Sequence, residues 1–217
     1  MIYSYLGHRC ISGDVESVKF LYGNICYESP PLIQTISLLQ ECLTIKMLND
    51  PRNNYSNEFL YYFGMICTGW TSRLIVKDLD IATACFEKIK AAIPKAEARL
   101  AFIELLLSDE EPYKSDNNAR RLGVLRDWAG KRDMFSKIVL AKIVYHSFLI
   151  EQQEQQEDLV LMPIRALRLL EIPCQLGHPE AIRFYNTILD NTTGIDTFNI
   201  GRQINFSRIN IDVLYDC

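Results

Sequence analysis

Five times along the chain a bulky side chain is followed by Gly, Ala or Asn near the middle of a helix-patterned segment: Tyr22 and Gly23, Phe63 and Gly64, Leu100 and Ala101, Leu140 and Ala141, Tyr185 and Asn186. The second members lie 41, 37, 40 and 45 residues apart, about one helix pair per interval. A chain with that period builds stacked units, each burying its apolar face against the next. The small residue is expected to face the second helix of its pair, where the two backbones approach closely. Glycine in a helix costs about 1 kcal/mol relative to alanine, so Gly64 is expected to be compensated by close packing.

Proline placement agrees with a run of separate helices. Pro30 and Pro31, Pro51, Pro94, Pro112, Pro163 and Pro179 each edge an apolar periodic segment. Between them the apolar spacing is three and four, as in Leu79, Ala82, Phe86, Ile89 and Ile93, or Ile138, Ala141, Tyr145, Phe148 and Leu149. The pattern predicts helices over 14–28, 31–48, 57–69, 79–92, 95–107, 116–129, 134–150, 163–176 and 179–190. Residues 2–12 read as only the second helix of a pair. Pro173 falls inside a helix and predicts a kink or an early end. EQQEQQED at 151–158 has no apolar face and reads as a frayed helical extension or a solvated loop. From Thr197 the apolar residues come close to alternating with polar ones, which predicts an extended tail or short strands packed on the helices. The expected organisation is one all-α repeat domain over 1–190, of four to five helix pairs, followed by a tail over 191–217.

A second internal match joins CISGDVES at 10–17 to CQLGHPEA at 174–181. In both, the glycine is expected to end one helix and the acidic residue to open the next. At this point the residues resemble a known family. FLYYFGMICTGWTSRLIVKDLDIATACFEKI, with Phe59, Phe63, Gly64, Gly69, Val76, Asp78, Ala82, Phe86 and Lys88 at the matching positions, resembles a Sel-one-like repeat, a relative of the tetratricopeptide repeats. GHPEAIRFYNTIL, and PKAEARLAFIELL at 94–106, look like further starts of first helices. The likeness covers about residues 1–190. It lacks the family's Gly-Gly loop signature, has an atypical loop at 108–115, carries Glu104 where an aromatic is expected, and lengthens one loop with the Gln-rich insertion. The resemblance implies a helix-turn-helix solenoid that binds another protein as an adaptor or regulator.

Charge and composition narrow the partners. The 217 residues carry a net charge of −4 with a pI of about 5.5, so no global field draws in nucleic acid or an anionic membrane. No apolar run approaches the roughly 20 residues needed to cross a bilayer. Seven cysteines at irregular spacing, and a start without a signal-peptide pattern, predict a reducing, cytoplasmic setting with most thiols buried and Cys217 the most reactive. Sequons at Asn54, Asn191 and Asn205 read as chance matches in such a setting. No nucleophile elbow, phosphate loop or zinc helix motif is present, and neither His8 with Cys10 nor Cys174 with His178 has further ligands nearby, so the expectation is no cofactor, no metal and no catalysis. The alternative from another class is a divergent helical enzyme using Cys10, Cys174 or the acidic loop at Asp109, Glu110 and Glu111. Within the binding class the alternative is a dedicated inhibitor or immunity protein occluding a toxin or effector. Terminal repeats also offer end faces for a homodimer.

On a helix-pair solenoid the first helices line the inner curve. Positions three before, and one or four after, the small residue point into that groove. Of the fifteen positions this counting gives, Phe20, Tyr27, Tyr61, Met65, Phe102, Lys142, Tyr145 and Arg183 form the expected partner-binding set, rich in interface-forming side chains. The competing role for each is to fill the inside of a short superhelix. Arg120, Arg121, Arg126 and Trp128 form a second, basic patch suited to a neighbouring helix or an acidic partner, partly neutralised by Asp127 and Asp133.

Overall fold

Asp14, Ser56 and Asp78 each precede an apolar-periodic stretch, and each side chain accepts the main-chain N–H three residues on, from Ser17, Phe59 and Ile81 at 2.9, 3.1 and 3.0 Å. Such capping satisfies a donor that the helix itself cannot, and it fixes where the helix begins. The computed structural model describes residues 2–25, 29–50, 52–70, 72, 74–108, 115–153 and 161–192. Among these it is all-α, with eleven helices and no strand: α1 (Ile2–Ile11), α2 (Val15–Asn24), α3 (Pro30–Cys42), α4 (Ile45–Asn49), α5 (Asn57–Cys67), α6 (Leu79–Ile89), α7 (Ala96–Leu106), α8 (Asp116–Gly130), α9 (Met134–Gln153), α10 (Leu161–Gln175) and α11 (Pro179–Asn191).

Two expected helices differ. The span 31–48 is two helices, because Leu43 leaves helical geometry (φ −93°, ψ 69°) with its side chain fully buried, and Thr44 takes extended backbone to open α4. The span 79–92 stops at Ile89, and the Ile89 carbonyl accepts both Ala92 and Ile93 N–H groups in a turn leading to Pro94. Pro173 lies in the last turn of α10, which ends two residues later. Helix α9 continues through Gln153 into the Gln-rich segment. Residues 154–158 of that segment, the acidic cluster at 109–111, Tyr27 and the tail from 193 lie outside the described residues.

The chain divides into two compact units, Met1–Leu107 and Ser108–Cys217. In the first, α1 packs on α2 and α3, α2 on α5, α5 on α6, α6 on α7, and α4 on α6. In the second, α9 packs on α8, α10 and α11, and α10 also on α11. Gly64 sits where α5 crosses α6: a Cβ there would lie 3.0 Å from the Phe86 ring and 3.1 Å from Cys85 Cβ. That is the close crossing expected of it. Gly23 departs from the expectation, since a Cβ on it meets nothing within 4 Å, and Asn186 is exposed. The reason at Gly23 is phase. Gly64 lies eight residues past its cap Ser56, whereas Gly23 lies nine past Asp14, which turns it about 100° away.

Three turns between helices share one geometry. Gly13 (φ 87°) donates to the Cys10 carbonyl at 2.8 Å, and Asp14 to Arg9 at 3.0 Å. Gly177 (φ 77°) donates to Cys174 at 2.9 Å, and His178 to Pro173 at 2.9 Å. This paired bonding is the Schellman ending, with the next helix capped immediately after it. Both glycines thus end a helix as their shared sequence predicts. A third copy occurs where no glycine marks it: Arg132 (φ 69°) donates to Ala129 at 3.1 Å and Asp133 to Trp128 at 3.0 Å.

Candidate functional site

In the second unit the faces of α9 and α11 meet around a carboxylate. Glu180, in the first turn of α11, accepts Lys142 Nζ of α9 at 2.6 Å and lies 3.0 Å from Arg183 Nη2 one turn on. The acid sits where a helix N-terminus favours negative charge. Its side chain is 15% exposed, against 32% for Lys142 and 54% for Arg183, so the cations form the outer surface of the cluster. Beneath them Tyr145 packs edge-on to Phe184, with centroids 5.7 Å apart, and stacks on Phe148 at 5.7 Å. Lys142 Nζ also lies 5.9 Å from the Phe184 centroid.

The first unit repeats this arrangement between α2 and α5. Lys19 of α2 pairs at 2.6 Å with Glu58, again the second residue of its helix, and lies 5.7 Å from the ring of Tyr62, four residues beyond that acid. Tyr22 packs on Tyr62 at 5.6 Å. In both units the later contact on one helix meets the later residue on its neighbour, Lys19 to Glu58 before Tyr22 to Tyr62, and Lys142 to Glu180 before Tyr145 to Phe184. In each pair, α2 with α5 and α9 with α11, the two helices therefore run in the same direction, with at least one other helix between them in sequence.

Of the eight groove residues, Lys142, Tyr145 and Arg183 come together in the α9/α11 cluster. Phe20 is 45% exposed on α2, where the one-residue phase error described above moves it off the Lys19 face. Tyr61, Met65, Phe102 and Tyr145 are 3%, 2%, 8% and 4% exposed. These four are buried, their side chains covered by neighbouring helices, which fits the filling role. Tyr61 accepts Arg99 Nη2 at 2.6 Å, has Lys95 Nζ 4.6 Å from its ring centroid, and packs edge-on to Phe86. Phe102 packs edge-on to Trp70 at 5.1 Å.

Sequence reasoning missed Arg99, which is 2% exposed. Arginine is almost never fully buried without partners, and its place inside the apolar run ARLAFI was the available signal. It missed Lys19 because the α2 register was one residue off, and Glu58 because it lies six residues before Gly64 on α5, outside the positions counted. In the basic patch Arg120 and Arg126 are exposed, Arg121 donates to Asn118 at 2.7 Å, and Trp128 is half-buried under Lys131, whose Nζ lies 4.5 Å from its ring. Lys131 is itself paired with Asp127 at 2.6 Å, and Asp133 is engaged in capping α9 through Ser136 N–H at 2.9 Å.

Four buried thiols among the described residues are shifted upward. Burial pushes Cys10, Cys85 and Cys174 up to about 12 and raises Cys67 well above its ordinary value. A reactive thiol needs the opposite shift. Burial also lowers His178 to about 4. Its Nδ1, like the Tyr145 and Tyr185 hydroxyls, has no hydrogen-bond partner among the described residues. Among those residues no group of three or more His, Cys, Asp and Glu is placed to hold a metal ion, and no helix is long and apolar enough to cross a membrane. Comparison of the chain with protein-family models, with curated proteins and with solved structures gives no match.

Proposed function

We propose that this chain is a noncovalent protein-binding module, an adaptor or regulator, which takes its partner on faces formed by neighbouring first helices. The observation that carries this reading is the recurrence of one surface in both units: a Lys and an acid bridging two helices over an aromatic pair, with the cations reaching solvent. Aromatic rings and arginine, here Tyr62, Phe184 and Arg183, are enriched in protein interfaces. The same recurrence supports the Sel-one-like, solenoid reading of the helix pairs. The surface consists of Lys19, Glu58 and Tyr62 in the first unit and Lys142, Arg183 and Phe184 in the second. The buried Tyr61, Met65 and Phe102 hold the helices beneath it.

Affinity capture from the source cell tests the proposal, with wild type against a Lys19→Ala, Arg183→Ala double variant that circular dichroism shows to be folded. A protein retained by wild type and lost by the variant is the expected result. Equal retention by both would move binding elsewhere, with exposed Arg120 and Arg126 the next surface to alter. Retention by neither would count against the binding reading itself.

A further inference from the structure

We propose that the corner joining α10 to α11 is a proton-operated latch, in which a proton taken up by His178 loosens α11 from α9 and α10. The three Schellman corners supply the first argument. At two of them the residue opening the next helix is an aspartate whose carboxylate accepts a serine N–H, Asp14 from Ser17 and Asp133 from Ser136, each at 2.9 Å. At the third the position is His178, which makes no side-chain cap. An imidazole there gives nothing to the first turn of α11 when neutral, and when charged it faces the positive end of the helix dipole.

The second argument is the ring's surroundings. Its main-chain N–H is fixed to the Pro173 carbonyl of α10 at 2.9 Å, so the ring is held at the corner, and Nδ1 meets no partner among the described residues. The charged groups acting on the ring are Lys142 from α9, which opposes a proton, and Glu180 from α11, which favours one. Glu180 is already engaged by Lys142 and Arg183, which leaves it little capacity to offset a third cation. From α10 the buried Cys174 thiol and Glu171 act on Tyr185 of α11, and neither is among the groups acting on the His178 ring. Burial is the largest effect and holds His178 at about 4. The sign follows. Between about 4 and the ordinary 6.5, the released corner binds a proton that the docked corner does not, so acidification favours release.

Hydrogen exchange on the full chain at pH 7 and pH 5, corrected for the intrinsic pH dependence of exchange, tests this. In wild type the α11 amides should exchange about tenfold faster at pH 5 than at pH 7, while α8 amides change less than about twofold. In His178→Asn, which keeps a neutral residue able to cap, the α11 acceleration should vanish. Equal acceleration in His178→Asn, or none in wild type, overturns the proposal. An NMR titration of the wild-type imidazole is the check that needs no variant. A midpoint near the ordinary value with α11 still protected overturns it as well.

Discussion

The α2/α5 junction of the first unit and the α9/α11 junction of the second are built from the same parts but end differently. Each has a lysine reaching an acid in the first turn of the next helix, and a ring four residues beyond that acid. In the first unit the entering helix is capped by the Ser56 hydroxyl, which accepts Phe59 N–H at 3.1 Å. In the second it is led in by His178, whose side chain caps nothing. The difference teaches that the lateral contacts define the junction, while the cap sets how firmly the entering helix is held. On this account the second junction is the one that conditions can loosen.

The largest way to break the comparison is through the crossing beneath the first junction. Gly64→Val puts a branched side chain where a single Cβ already falls 3.0 Å from Phe86, and should cost about 3 kcal/mol in denaturant unfolding. Gly23→Ala, on the neighbouring helix with open space around it, should instead stabilise by up to about 1 kcal/mol.

Next in size is pH. A base whose folded value is depressed contributes stability above its unfolded value and loses it as pH falls towards the folded one. His178 should therefore cost the second unit up to about 3 kcal/mol as pH drops from 6.5 to 4, and thermal melts of His178→Asn should lack that loss.

The corners give a smaller, signed set. A non-glycine residue in left-handed geometry costs about 1 kcal/mol, so Arg132→Gly should raise stability by roughly that amount, and Gly13→Ala or Gly177→Ala should lower it by as much. Smallest are the lateral ion pairs: Lys19→Ala and Lys142→Ala should each change stability by less than about 1 kcal/mol, because both lysines are partly in water. A loss of several kcal/mol for either would mean that the pair, and not the apolar crossing, holds its junction together.

How far the sequence reaches differs by feature. Helix content was legible because the three-and-four spacing and the edge prolines act locally, and the Gly13 and Gly177 endings were legible because glycine is favoured at a left-handed position. The third corner was hidden, since Arg132 adopts that geometry without the residue that advertises it. The break at Leu43 was hidden because nothing in TIKML signals that a buried leucine will leave the helix. The candidate surface was half legible. Counting from Ala141 and Asn186 found Lys142, Tyr145 and Arg183, but counting from Gly23 was one residue out of phase and passed over Lys19. Burial was the larger gap: periodicity places Tyr61 and Phe102 on a face, but only the neighbouring chain, Arg99 and Phe86 for one and Trp70 for the other, decides that the face is covered.

Site-specific photocrosslinking in source-cell lysate tests the central claim most directly, with the probe placed in turn at Lys19 on α2 and Arg183 on α11, and at exposed Gln34 and Arg165 on α3 and α10. The account predicts a discrete higher-mass adduct from Lys19 or Arg183 and none from Gln34 or Arg165. Adducts confined to Gln34 and Arg165 would contradict it, because the partner would then sit on the other helices and the recurring Lys, acid and aromatic surface would be packing alone.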